Sequence, residues 1–198
     1  MLEYIMGEVD GLTSVINNMM GLARHKAPEF KATDLYLETA ALIDHFIQSG
    51  NHNKLISIAL SSQNRPSPVL ADMRQLQQVL LNCISNAEDA MPEGGKITIY
   101  MEPGRGDTVE IHIVDSGPGI PEENLENAFK KFFTTKEKGM GIGLCVCKQI
   151  ILAHNGRISI ENIPQGGLKV AIRLPCNPLP VPSLSNPLAL NEKEASLA

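Results

Sequence analysis

The sequence has no tryptophan, and aromatic residues fill only 4% of its 198 positions. A protein that holds single-stranded nucleic acid by stacking its bases would have little to stack them on. An excess of basic residues is missing too, since 17 Lys and Arg stand against 22 Asp and Glu, a formal charge of −5. That balance argues against a duplex-binding surface, which carries a basic footprint, so no nucleic-acid partner is expected. The four cysteines, Cys83, Cys145, Cys147 and Cys176, form no CxxC pair and have no histidine at ligand spacing. Neither a disulfide framework nor a zinc site is expected, and a reducing cytoplasm is the default compartment. No apolar run has the length of a membrane span, and no signal-peptide pattern is visible. The expectation is a soluble cytoplasmic chain without membrane contact. Its composition, 43% hydrophobic and 20% charged, is that of an ordinary globular protein. The length suits one domain with appendages.

Along the chain, Leu2, Ile5, Val9, Leu12, Ile16, Met19 and Ala23 recur in steps of three and four, a heptad-like seam on a helix. Such a stripe must pack on a second helix, of this chain or of another copy. Pro28 closes that segment, and residues 28–33 read as a linker. Thr33-Asp34 starts an amphipathic helix that runs to Gln48, and Lys54–Leu60 alternates as a strand does. Asp72 caps a longer helix, broken at Pro92-Glu93-Gly94-Gly95. Strands at 96–101 and 108–114 follow, then an irregular stretch with one short helical piece near 122–128. A helix at 144–153 and strands at 157–161 and 168–174 complete the pattern. From Pro175 the chain is rich in Pro and Ser, and residues 177–198 are expected to be a disordered tail.

Four clusters could carry chemistry. Asn82 and Asn86 lie four residues apart, on one face of the long helix. Amide oxygens are hard, neutral ligands that suit Mg²⁺. Two such residues alone more often mark a solvated face, but here they sit amid an apolar helix, where an unpaired amide is costly. Asp115-Ser-Gly-Pro-Gly-Ile120 ends a strand, and its glycines admit close backbone approach beside a carboxylate acceptor. Phe129–Lys136 offers two aromatic residues, Phe132 and Phe133, able to pin a loop, and Lys136 as a mobile cation. Gly139-Met-Gly-Ile-Gly-Leu144 opens a helix, where convergent N–H groups and the helix dipole favour phosphate. It is neither a Walker A loop nor a dinucleotide fingerprint.

In this order the clusters resemble the N, G1, F and G2 boxes of the ATP-binding domain shared by sensor histidine kinases, gyrase-type ATPases, Hsp90 chaperones and MutL proteins. The strings QQVLLNCISNAEDAMPEGGKITI, FKKFFTTKEKGMGIGL and AHNGRISIEN are most similar to two-component histidine kinases of the nitrogen-regulation class. The resemblance implies an α+β fold, an α/β sandwich in which three helices cover one face of a mixed five-stranded sheet, preceded by a coiled-coil-type helix. It divides the chain into the second helix of a dimerisation and phosphotransfer hairpin (1–27), a linker (28–33), the ATP-binding domain (34–176) and the tail. ATP and Mg²⁺ are the implied ligands, with Asn86 on the metal and Asp115 on the adenine amino group. Gly117, Gly119 and Ile120 would shape the adenine pocket. Thr134, Thr135, Lys136, Gly139, Met140, Gly141, Ile142, Gly143 and Leu144 would form the lid and line the triphosphate. Asn82 and Lys136 are the implied catalytic residues. Asn82 stands where hydrolysing relatives carry Glu, which favours phosphotransfer to a lone-pair nucleophile over activation of water.

Several positions depart from the family pattern. Met140 replaces a small polar residue, Asp89 falls where many kinases place a cation near the phosphates, and Leu168-Lys169 stand where relatives often have Thr. None of the five histidines, His25, His45, His52, His112 and His154, is followed by an acidic residue with a Pro a few positions on, as a phosphoacceptor is. The expectation is therefore a catalytic portion whose acceptor His comes from a separate hairpin, in a parent that could itself be membrane-bound. A response regulator is the implied downstream partner, and residues 2–23 are the implied self-association surface. A non-catalytic nucleotide-binding module and a protein Ser kinase of the anti-sigma-factor type remain alternatives.

Overall fold

The computed structural model describes residues 27–50, 52–62, 64, 66–134, 136 and 140–177. The expected seam at 2–23, the tail from 178, Thr135 and Gly139 lie outside the described residues. The elements in chain order are β1 (Lys31–Thr33), α1 (Leu35–Gln48), β2 (Ile56–Ser61), β3 (Val69–Ala71), α2 (Met73–Asp89) and β4 (Gly95–Pro103). After them come β5 (Thr108–Asp115), α3 (Glu122–Leu125), α4 (Gly143–Ala153), β6 (Arg157–Asn162) and β7 (Leu168–Pro175).

Alternation builds the sheet. Ile97, Ile99 and Met101 of β4 face the same way as Val109, Ile111 and Ile113 of β5 and Val170, Ile172 and Leu174 of β7, and all are buried. They share one core with Leu42 and Ile43 of α1, Val79, Leu80 and Ile84 of α2, and Val146 and Ile151 of α4. The strand order is β2-β4-β5-β7-β6, with β2 parallel to β4 and the other pairs antiparallel. This is the mixed five-stranded sheet expected, with its three longer helices on one face. The opposite face carries Lys96, Tyr100, Glu102, Glu110, His112, Lys169 and Arg173.

Two details differ from expectation. Residues 31–33, read as linker, form β1 and pair antiparallel with β3, so the folded unit begins before residue 34. Each strand is only three residues long, too short to show a period, and main-chain pairing rather than side-chain pattern defines them. Strand β2 starts at Ile56 and not at Lys54, because the Asn53 Oδ1 accepts the Leu55 N–H at 3.0 Å and turns the chain.

Helices α2 and α4 lie antiparallel, and three contacts fix their register. At one end the Asp72 N–H donates to His154 Nε2 at 3.1 Å. Further along, Cys147 Sγ meets the Val79 carbonyl at 3.8 Å, seven residues on along each helix. At the other end Gly143 lies beside Asn82. Asp72 also caps α2, its Oδ1 accepting the Arg74 and Gln75 N–H groups, while Oδ2 accepts that of Glu29. His154 is 1% exposed and donates from Nδ1 to the Ile150 carbonyl at 2.9 Å. With Nδ1 donating and Nε2 accepting, the imidazole must be neutral.

Burial accordingly holds the His154 pKa below the usual histidine value, although the Ile150 carbonyl and Asp72 pull the other way. The unfolded chain then takes up this proton first. Stability is full above about pH 6.5 and falls as pH drops below it towards the folded-state pKa. The slope reaches at most about 1.4 kcal/mol per pH unit for one such group. Urea unfolding at pH 7.5 and 5.5 should show this loss, and a His154→Gln variant, less stable at neutral pH, should show a shallower pH dependence.

Candidate functional site

The site hangs from the ends of β5, α2 and α4. Asp115, the last residue of β5, is 7% exposed, and its Oδ1 accepts the N–H groups of Gly117 at 2.9 Å and Leu168 at 3.1 Å. Its other carboxylate oxygen has no protein donor among the described residues. The oxygen left over in this way, on a carboxylate whose residue is otherwise buried, is free to accept a donor from a ligand. The turn between β6 and β7 crosses directly over this point. Gly167 has φ +111°, and a Cβ there would collide with the Asp115 carbonyl oxygen. Gly117 and Gly119 lie on the same rim. Ile120 is held there by Asn162, whose Nδ2 donates to the Ile120 carbonyl at 2.6 Å and whose Oδ1 accepts the Ile120 N–H at 2.9 Å.

The phosphate side is built by the start of α4. Ile142 occupies its N-cap without any side-chain hydrogen bond, so the first-turn N–H groups have no cap to satisfy them. Those donors, aligned with the helix dipole, make an anion site that fits a phosphate. Ile142 is buried, Met140 packs against the core, and Gly143 and Leu144 are half-buried. Gly141 has φ +63°, and a Cβ on it would collide with the Phe133 carbonyl, because its own carbonyl accepts the Phe132 N–H at 2.9 Å. Phe133 is half-buried against this crossing. Phe132, expected to help pin the loop, instead turns outward, 71% exposed with φ +64°.

Asn82 and Asn86 part company in their contacts. The Asn82 Nδ2 donates to Cys147 Sγ at 3.7 Å, which holds the amide between α2 and α4. The Asn86 Oδ1 accepts from Lys136 Nζ at 2.9 Å, and the same ammonium lies 2.6 Å from Asp89 Oδ2. Thr134 supports the turn by accepting the Lys136 N–H on Oγ1 at 3.1 Å. Lys136 was expected to lean towards phosphates. It sits instead between one amide oxygen and one carboxylate oxygen. Two hard oxygens already sharing a cation form a donor set that fits Mg²⁺.

Sequence reasoning missed Asn162, Gly167 and the Leu168 N–H. Leu168 had looked like a departure because its side chain differs from the usual Thr. The contact to Asp115 is made by its main chain, which any residue but Pro supplies. A Gly166-Gly167 pair between two strands marks a turn, but nothing local in the sequence reveals that this turn lies against β5. All four cysteines are free and buried.

The family described as "Histidine kinase-, DNA gyrase B-, and HSP90-like ATPase" matches residues 71–178, from the end of β3 to just past β7. The chain belongs to this ATPase family. Among its relatives, Sporulation kinase D of Bacillus subtilis (strain 168) is 32% identical over 174 residues, covering 87% of this chain and 34% of that protein. The chain thus spans about a third of the length of that relative. The solved catalytic domain of histidine kinase ThkA is 35% identical, with a TM-score of 0.67 over 76% of this chain and 97% of that one. ThkA in complex with the response regulator protein TrrA matches at 30% identity and TM-score 0.73, over 88% of this chain and 50% of that one. Within the family, the described unit is a histidine kinase ATP-binding catalytic domain.

The crossing over Asp115 gives this kinase-type domain a strict steric requirement. Gly167→Ala should push the β6–β7 turn off β5, withdraw the Leu168 N–H and weaken ATP binding at least tenfold. A fluorescent ATP analogue in titration checks this, with circular dichroism to confirm that the sheet survives.

Proposed function

We propose that this domain binds Mg-ATP and delivers its γ-phosphoryl group to a histidine on a dimerisation hairpin, as the catalytic part of a sensor histidine kinase. The spare oxygen of buried Asp115, set across from the uncapped start of α4, carries this proposal. The oxygen supplies one acceptor for a base, and the start of α4 supplies one donor cluster for phosphates. The free Asp115 oxygen would accept from the adenine amino group, while the α4 N–H groups would hold the phosphates. Asn86, with Asp89 nearby, would hold Mg²⁺. Bound Mg-ATP supplies the transferable phosphoryl group and the charge neutralisation that loosens its bond.

The remaining chemistry falls to the chain's own residues. Asn82, fixed between α2 and α4, cannot take a proton from water, and it does not need to. A neutral imidazole attacks with its own lone pair, so positioning and electrostatics are enough. Lys136, once released from Asn86 and Asp89, would follow the phosphates as the lid closes. The hairpin that bears the acceptor and a response regulator that takes the phosphoryl group onward are the proposed partners. Self-association through residues 2–23 and a cytoplasmic location of this domain belong to the same proposal.

Calorimetry should show binding of ATP and ADP and rejection of GTP, whose 6-carbonyl would face the Asp115 carboxylate and leave it unpaired. Asn86→Ala should weaken Mg²⁺-dependent ATP binding about tenfold or more, in keeping with the loss of one charge-adjacent ligand, and Asn82→Ala should weaken it less. Labelled ATP should place phosphate on an added hairpin fragment with the acceptor His and not on this chain alone. Equal affinity for GTP would reject the adenine assignment. Acid-labile phosphate on the isolated chain would reject the need for a separate acceptor.

A further inference from the structure

The sheet face turned away from the helices carries a cluster that the nucleotide chemistry does not use. Glu102 of β4 and Glu110 of β5 are directly paired across the antiparallel ladder. Like charges placed opposite one another destabilise a strand pair, so this arrangement needs a compensating cation. One carboxylate has found one. Arg173 of β7 grips Glu110 Oε1 with Nε at 2.9 Å and Nη2 at 2.6 Å. That clamp leaves Oε2 of Glu110 turned towards His112.

His112 is 5% exposed, and neither of its ring nitrogens makes a hydrogen bond. Its Nε2 lies 3.4 Å from Glu102 Oε1 and 3.4 Å from Glu110 Oε2. One candidate ligand atom from each of the three residues falls within 4.8 Å of the others. Donor atoms bound to one small divalent ion at about 2.0–2.2 Å stand roughly 3–3.5 Å apart. The His–Glu spacings are therefore those of a site one small adjustment from closure. The ring cannot swing away, because Tyr100 stacks on it at 4.5 Å between centroids and 18° between planes. Glu102, with a side chain 54% exposed, keeps one side open to solvent and gives an ion a way in.

We propose that Glu102, Glu110 and His112 form a binding site for a first-row divalent cation, with Zn²⁺ as the best match to one imidazole nitrogen and two carboxylate oxygens. Three protein ligands leave a fourth position for water. Arg173 acts from outside the ligand set, orienting Glu110 as outer partners of metal ligands do. An ion here would tie β4 to β5 and, through Arg173, to β7, on the opposite face of the sheet from the nucleotide cleft. The cysteine count gave no hint of such a site because no cysteine takes part.

Titration of the full chain with Zn²⁺ alone, without nucleotide, should show one ion bound per chain and a raised unfolding temperature. Glu102→Gln changes only a half-exposed side chain, and it should weaken Zn²⁺ binding at least tenfold while the apo unfolding temperature stays close to wild type. His112→Gln should remove the site as well. Co²⁺ in place of Zn²⁺ should give weak visible bands without thiolate charge-transfer absorption. Failure to bind Zn²⁺, equal binding by Glu102→Gln, or a cobalt–thiolate band would each overturn the proposal.

Discussion

A neutral imidazole locked between two helix ends sets how α2 and α4 lie against each other. His154 can accept from the Asp72 N–H only while its Nε2 is unprotonated, and that bond joins the start of α2 to the end of α4. Because the helices run antiparallel, fixing this end fixes the distance at which Asn82 and Asn86 face the open start of α4. Cys147 reinforces the register midway, through its contacts with the Val79 carbonyl and the Asn82 amide. Asp72 concentrates several duties in one carboxylate, capping α2 and holding the Glu29 main chain ahead of β1. Its pKa is lowered by those donors and by Arg74, against the opposing effect of burial.

The base side and the phosphate side of the proposed site differ in how they are held. On the base side every contact to Asp115 comes from main chain that belongs to, or directly adjoins, strands of one sheet. On the phosphate side the Gly141 carbonyl accepts the Phe132 N–H, and Lys136 is held only by exposed contacts to Asn86 and Asp89. A base site fixed by main chain beside an exposed, exchangeable cation suits the proposed recognition of one nucleotide followed by rearrangement around its phosphates.

The sequence was most informative where a side-chain pattern and a structural role coincide. Asp34 and Asp72 announced helix starts because a cap needs a short acceptor side chain, and both are caps. The strand alternation of β4, β5 and β7 matches the face they bury, since a half-covered sheet imposes a period of two. Main-chain roles were not legible. Strands β1 and β3 are recognised only by their pairing, the Leu168 N–H carries no residue label, and Gly167 is fixed by a strand about fifty positions earlier in the chain. The exposure of Phe132 was hidden for the same reason. Its outward turn follows from the left-handed backbone demanded by the Gly141 crossing, and an aromatic residue read by composition alone looks like core.

Lys136 illustrates how a domain can keep an acidic pocket stable before its ligand arrives. Without a cation, Asn86 Oδ1 and Asp89 Oδ2 would present two converging acceptors to each other. The Lys136 ammonium fills that place at 2.9 and 2.6 Å. The pair is exposed, with side chains 39% and 56% accessible, so its net contribution is small, of the order of 0–1 kcal/mol. Weakness is what the proposed function asks of it. In that proposal a divalent ion carried in by phosphates would displace the single ammonium from these hard oxygens, and the freed ammonium would then have an anionic partner close at hand. Such an exchange would leave no charge unpaired at either stage. Arg at position 136 would serve less well, because its planar fork fits a carboxylate in two-point geometry and would hold Asp89 too firmly to let go.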